Sequence, residues 1–322
     1  MKAFIKRTLF LLLILTTVLI ILDLLSMTGP FRTPIAKLTG SESYISENVG
    51  ADEIRPFIEK AAGADKTTVL FLGDSVCRQL FNRQQENAPG ISMIGSNAAI
   101  TPAGQYILAK TYIDAHPDTS DIFLFMRPDS LTKTFDTDYG YQYTVMPFAE
   151  TGTIGELDPD TIEAMEKVYG KPFMNPVIVR MIDRSGPDRK LYLNLLKEYS
   201  TPYEPDPPLA LADRYIGKIK ALCDEKGIRL HLHPCPAFES GRDEDERLRA
   251  DYEISELSRW FPDYFEEIVY YPDEESYDGV HFDRDLVKDE YILRVIRECY
   301  GSFLLAESGR ISLADLYPGL YR

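Results

Sequence analysis

Two kinds of apolar run stand out along the chain. The first is long. From Leu9 to Leu25 the residues are almost purely apolar, with Asp23 the only charge, and Lys2, Lys6 and Arg7 precede them. A membrane-crossing helix needs roughly 17–25 such residues. A cleaved signal peptide has a shorter apolar region and a small-x-small cleavage site, which "LLSMTGPF" does not offer. Residues 1–27 therefore predict an uncleaved anchor. Its basic flank stays in the cytoplasm and residues 28–322 lie outside. Asp23 falls near the outer interface, where its cost is small.

The other runs are short and are bounded by turn residues. "TVLFL" predicts a strand at 68–72, "DIFLFMRP" one at 121–128, "IRLHLHPCP" one at 228–236 and "EIVYY" a fourth at 267–271. Helical periodicity recurs in "DEIRPFIEKAAG", in "LADRYIGKIKALCDEKG" and in "DLVKDEYILRVIRECYGSFL" at about 285–304. Continuous apolar strands alternating with amphipathic helices predict an α/β fold, a parallel sheet with helices on both faces. The expected organisation is an anchor at 1–27, a stalk at 28–66 and one domain at 67–322. Residues 130–205 break the rhythm as a Tyr- and Pro-rich insertion. Two roles are open for it: a lid whose aromatics stack on sugar rings, or a decoration whose tyrosines pack on themselves.

Composition narrows the function. The formal net charge is -16, the wrong sign for nucleic acid, which needs a cationic footprint. It also argues against the domain lying flat on an anionic lipid surface. The densest acidic stretch, "GRDEDERLRADYE", reads as a solvated helix face, because it lacks the Gly and the alternating spacing of a calcium loop. The four cysteines, at 77, 223, 235 and 299, form no C-x-x-C pair. A Cys223–Cys235 bridge is one option and free buried thiols are the preferred one.

The candidate chemistry begins where the first short strand ends. "VLFLGDSVCRQLF" runs an apolar strand into Gly73, which permits a sharp turn. Asp74 can cap a following helix, and Ser75 stands at the carboxyl end of the strand, where open α/β sheets place ligands. Ser75 is either a capping serine or a nucleophile, and a base decides between them. "YDGVHFD" supplies one. Asp278 and His281, three residues apart in a turn, can pair so that the aspartate accepts one imidazole N–H and leaves the other ring nitrogen free.

With the strand-Gly-Asp-Ser block early and Asp-x-x-His before a terminal helix, the chain resembles the SGNH (GDSL-like) hydrolase superfamily over roughly residues 66–305. "FLGDSV" matches its first block and "DGVH" its last. The resemblance implies a three-layer α/β/α, flavodoxin-like fold, with Ser75, His281 and Asp278 as a catalytic triad. It also implies an oxyanion hole from the Ser75 backbone, the Gly95 backbone and the Asn97 side chain in "MIGSNAAITPAGQY". The family's usual Gly-x-Asn-Asp block is replaced by "MRPDS" after the next strand. That departure looks more like the membrane-anchored branch that includes the D-alanyl-lipoteichoic acid biosynthesis protein and alginate O-acetylation proteins.

The implied activity is serine O-acyl transfer to cell-envelope or exported polysaccharide, beside a polytopic membrane acyltransferase partner. An esterase and a non-catalytic envelope assembly protein are the alternatives. The α/β-hydrolase elbow, G-x-S-x-G, does not fit, since Cys77 stands where its second Gly belongs. No metal and no cofactor are required. His231, His233 and Cys235 alternate along one strand face but would hardly converge tetrahedrally on one ion. His116 reads as a loop residue and Cys77 as packing under the helix. Arg78 and Arg127 are open between acidic-substrate binding and structural ion pairing.

Overall fold

A computed structural model of the chain describes residues 1–45, 49–81, 90–137, 139–203 and 205–283. The chain begins with helices α1 (Lys2–Ser26), α2 (Gly29–Thr39) and α3 (Ala51–Ala62). Strand β1 (Val69–Gly73) leads into α4 (Ser75–Phe81). Then come β2 (Ile91–Gly95), α5 (Pro102–Ala115), β3 (Asp121–Met126) and the short α6 (Pro128–Leu131). A helical stretch follows: α7 (Met146–Thr151), α8 (Pro159–Tyr169), α9 (Pro176–Arg184), α10 (Gly186–Tyr199) and α11 (Ala210–Lys226). β4 (Arg229–Pro234), β5 (Ala237–Phe238), α12 (Arg242–Glu253), α13 (Glu256–Trp260) and β6 (Tyr270–Tyr271) follow, with short 3-10 and π-helical turns between the elements. The helix expected at 285–304 lies outside the described residues.

The chain divides into two compact units: Met1–Ala51 with Phe135–Tyr203, and Asp52–Thr134 with Glu204–Arg322. The second is a mixed α/β unit built on a four-stranded sheet, β2-β1-β3-β4, in which every pair is parallel. Every residue of β1, β2 and β3 is buried, while the edge strand β4 is mostly part-exposed. Phe71, Met93, Phe123 and Phe125 face α4, where Val76, Leu80 and Phe81 complete one core. Helices α5 and α11 pack on each other and on β1 and β4.

Three expected strands are present. The fourth shrinks to Tyr270–Tyr271, which pairs in parallel with Ala237–Phe238 in a separate two-stranded sheet. β2 was not foreseen; "ISMIG" carries only three large apolar residues among small ones.

The first unit gathers the amino terminus and most of the Tyr- and Pro-rich insertion. Within α1, Phe4–Ser26 is long and apolar enough to cross a membrane. Where a stalk was expected, residues 29–39 form a helix with Ile35 and Ala36 buried. The tyrosines of the insertion largely pack on themselves. Tyr141 lies 4.6 Å from Tyr192 and 5.3 Å from Tyr169, ring centre to ring centre, and all three are buried. Each hydroxyl donates to a main-chain carbonyl: Tyr141 to Phe173, Tyr169 to Asp136 and Tyr192 to Tyr169. A buried tyrosine needs such a partner for its O–H, so these three are core residues with satisfied tips.

Candidate active site

The site is set by how β1 hands over to α4. Gly73 ends the strand, and a side chain there would collide with the Phe125 carbonyl and the Cys77 side chain. The next residue, Asp74, is buried and fully engaged. Its Oδ1 accepts from the Val76 and Cys77 N–H groups at 3.0 and 3.3 Å, capping α4. Its Oδ2 accepts from the Arg127 N–H at 3.1 Å and the Ser130 hydroxyl at 2.9 Å, tying the exit of β3 to the exit of β1. Ser75 is thereby fixed as the first residue of α4, half-buried at the carboxyl edge of the sheet.

His281 meets it there. Its Nε2 lies 2.8 Å from Ser75 Oγ, and its Nδ1 lies 2.8 Å from Asp278 Oδ2. A carboxylate only accepts, so Nδ1 carries the proton and Nε2 accepts from the serine hydroxyl. Asp278 Oδ1 also accepts from the Val280 and His281 N–H groups at 2.9 and 2.8 Å. Partial burial works to raise the Asp278 carboxyl, but these bonds from the His281 ring and from two main-chain amides outweigh it. The carboxyl is held below its ordinary value.

Residues that the sequence reading missed hold this turn. Gln79 lies one helical turn beyond Ser75 on α4 and grips the main chain of Phe282 at both ends: its Nε2 donates to the Phe282 carbonyl at 2.7 Å, and its Oε1 accepts the Phe282 N–H at 3.0 Å. The Phe282 ring is buried in the core beside α4. Ser276 closes the loop, donating to the His281 carbonyl at 2.9 Å and accepting from the Gly279 N–H at 2.7 Å. The i, i+4 spacing of Ser75 and Gln79 puts both on one helix face. That signal was available, but nothing local announced its partner 203 residues away.

The other expected oxyanion groups lie at the same sheet edge. Gly95 pairs in register with Gly73, and a side chain on it would run into the main chain of Arg78, so glycine lets α4 settle on β2. Beyond it, the Ser96 N–H donates to the Gly73 carbonyl at 3.1 Å, which draws the exit of β2 towards the exit of β1. Asn97 follows, half-buried, and no hydrogen bond engages its side chain among the described residues.

Other candidates take structural roles. Arg78 pairs with Glu53 and sits over the Phe57 ring. The Arg127 Nε lies 3.0 Å from Asp129 Oδ1, close enough for an ion pair but off the line of a hydrogen bond. His231 and His233 share a strand face but turn to separate carboxylates, Asp121 at 3.1 Å and Glu267 at 3.0 Å. Among the described residues, no three His, Cys, Asp or Glu are placed to share an ion.

Cys77, Cys223 and Cys235 are free and buried, so the Cys223–Cys235 bridge is not formed. Burial first, and the nearby Asp74 carboxylate second, push the Cys77 and Cys235 thiols well up, which leaves neither as a nucleophile at neutral pH. His116 caps α5, buried, its ring stacked on Tyr112 and bonded to Asp65.

No family model matches the chain, and no curated protein and no solved structure matches it either.

Proposed function

We propose that the chain is a membrane-anchored, extracytoplasmic serine acyl-transfer enzyme of SGNH-like, three-layer architecture, acting on hydroxyls of cell-envelope or exported polysaccharide. The observation that carries the chemistry is the continuous hydrogen-bonded series Ser75–His281–Asp278. In the reaction, Ser75 Oγ attacks the carbonyl carbon of an acyl ester while its proton passes to His281 Nε2. Asp278 holds the Nδ1–H tautomer and stabilises the imidazolium. The negative oxygen of the tetrahedral intermediate faces the Ser75 backbone N–H and the Asn97 amide. His281 then gives its proton to the departing alkoxide, leaving an acyl-serine. A sugar hydroxyl attacks that ester, its proton goes to His281, and Ser75 is released as the free alcohol.

Transfer as the outcome is supported by the apolar α1 helix, which would hold the enzyme beside a membrane where a polytopic partner delivers acyl groups. A second reading, an esterase of the same fold, has its own support. The Asp278 side chain is 37% exposed and that of His281 21%, so water reaches the pair. The full chain in detergent, given an activated acetyl ester with and without a polysaccharide acceptor, separates them. Acylated sugar is the expected product. Free acetate released at equal rates in both mixtures, with no acylated sugar, would leave the esterase.

A further inference from the structure

The anchor helix and the helices that leave it carry an apolar surface that the catalytic reading does not use. Helix α10 exposes Leu191, Leu195 and Tyr199, at 62, 42 and 74%, and the spacing of four places them in one stripe. Its opposite side buries Arg189, Tyr192, Leu193 and Leu196. On α2, Phe31 and Leu38 are exposed at 49 and 79%, seven residues and two turns apart. The two helices are tied together, since the Lys190 ammonium donates to the Gly40 carbonyl at 2.9 Å.

Both helices start at one place, the last turn of α1. α2 follows after a two-residue break. The residue before α10, Ser185, accepts from the Ser26 hydroxyl at 2.9 Å and donates to Asp23 Oδ1 at 3.3 Å. At 1.5 Å per residue, Leu191 is roughly 8 Å from the start of α10 whichever way that helix points. The headgroup layer on each side of a bilayer is roughly 5–8 Å thick, and interfacial helices seat their apolar faces at that depth. Charge agrees. Outside the anchor, residues 28–51 and 135–203 carry 9 basic and 13 acidic residues, against 23 and 37 in the other unit, so the less acidic unit is the one at the anchor. The argument against contact with an anionic surface therefore bears chiefly on the sheet unit.

We propose that the unit formed by Met1–Ala51 and Phe135–Tyr203 is a membrane collar, its α2 and α10 apolar stripes lying in the lipid headgroup layer around the exit of α1. The proposal rests on reading α1 as a membrane span. Tyr199, with an apolar ring and a polar tip, suits the boundary between lipid and water.

The test uses the full chain in phosphatidylcholine–phosphatidylglycerol vesicles, with an environment-sensitive fluorophore on single cysteines. L191C and L195C probe the collar, L12C probes the anchor, and I254C, at a site 76% exposed in the other unit, is the control. Unsubstituted chain gives the background from native cysteines. Collar probes should be quenched by lipids labelled near the headgroup, at least about twofold more than the control, and more than by lipids labelled deep in the tails. The anchor probe should show the reverse depth order. If the anchor probe is quenched and the collar probes are not, the collar is wrong and the span stands. An unquenched anchor probe removes the span itself, and the collar with it. Collar probes that report an apolar setting without lipid quenching would mean a protein covers the stripe, which also overturns the proposal.

Discussion

Gln79 holds Phe282 by both main-chain groups, at 2.7 and 3.0 Å, and thereby fixes the histidine one residue earlier against the serine four residues earlier. A glutamine amide here does what a neighbouring strand would do, giving and taking one hydrogen bond. Two neutral hydrogen bonds are worth about 1 kcal/mol each. Gln79→Ala is expected to slow acylation of Ser75 by about 10- to 30-fold while leaving substrate affinity unchanged. Single-turnover kinetics with a chromogenic ester measure this. A rise in KM at constant kcat would mean that Gln79 serves binding rather than the placement of His281.

Asp74 is expected to matter for folding more than for turnover. It accepts from two amides of α4, one amide after β3 and the Ser130 hydroxyl. Asp74→Asn is nearly isosteric but turns an NH2 group towards donors, leaving buried N–H or O–H groups unpaired at about 1–3 kcal/mol. Denaturant unfolding should show a loss of about 2–4 kcal/mol with an unchanged m-value. A change within 0.5 kcal/mol would show that the ties around Asp74 are not what joins the two strand exits.

The collar unit should respond to pH. Burial first, then the neighbouring Asp23 carboxyl, push the Asp188 carboxyl up to about 7 from 3.8. The folded unit therefore keeps a proton that the unfolded chain sheds, and stability falls as pH rises between about 4 and 7, levelling beyond. Hydrogen exchange along α10, after correction for intrinsic rates, should be slowest near pH 4 and become faster towards pH 8. Asp188→Asn should flatten that slope. A slope unaltered in the variant would contradict the assignment.

Much of the site was legible because its signals are local. Gly73, Asp74 and Ser75 do at the strand end what a glycine, a cap and a small hydroxyl residue do, and Asp278 with His281 share one turn. The strands at 69–73 and 121–126 read clearly, since burial on both faces demands unbroken apolar runs, whereas 229–234, a mostly part-exposed edge strand, was legible from its alternating leucines and histidines. β2 did not, because Ser92 and Gly95 dilute its pattern. The partition into two units was hidden for a different reason. Residues 1–51 and 135–203 meet only through tertiary contacts such as Ser26 with Ser185 and Asp183 with the Ala51 N–H, and no local periodicity encodes those. The Gln79–Phe282 clamp was missed for the same reason.

The most direct measurement is covalent labelling of the full chain with a fluorophosphonate, followed by peptide mass spectrometry. Such a reagent forms a phosphonyl ester only with a serine whose proton a neighbouring base removes. The account predicts one adduct, on Ser75. It also predicts no adduct in Ser75→Ala and a loss of labelling rate in His281→Ala and Asp278→Ala that the double variant barely deepens, since the three groups act as one. Folded protein, with an unchanged circular dichroism spectrum, that stays unlabelled or carries its adduct on another residue would contradict it.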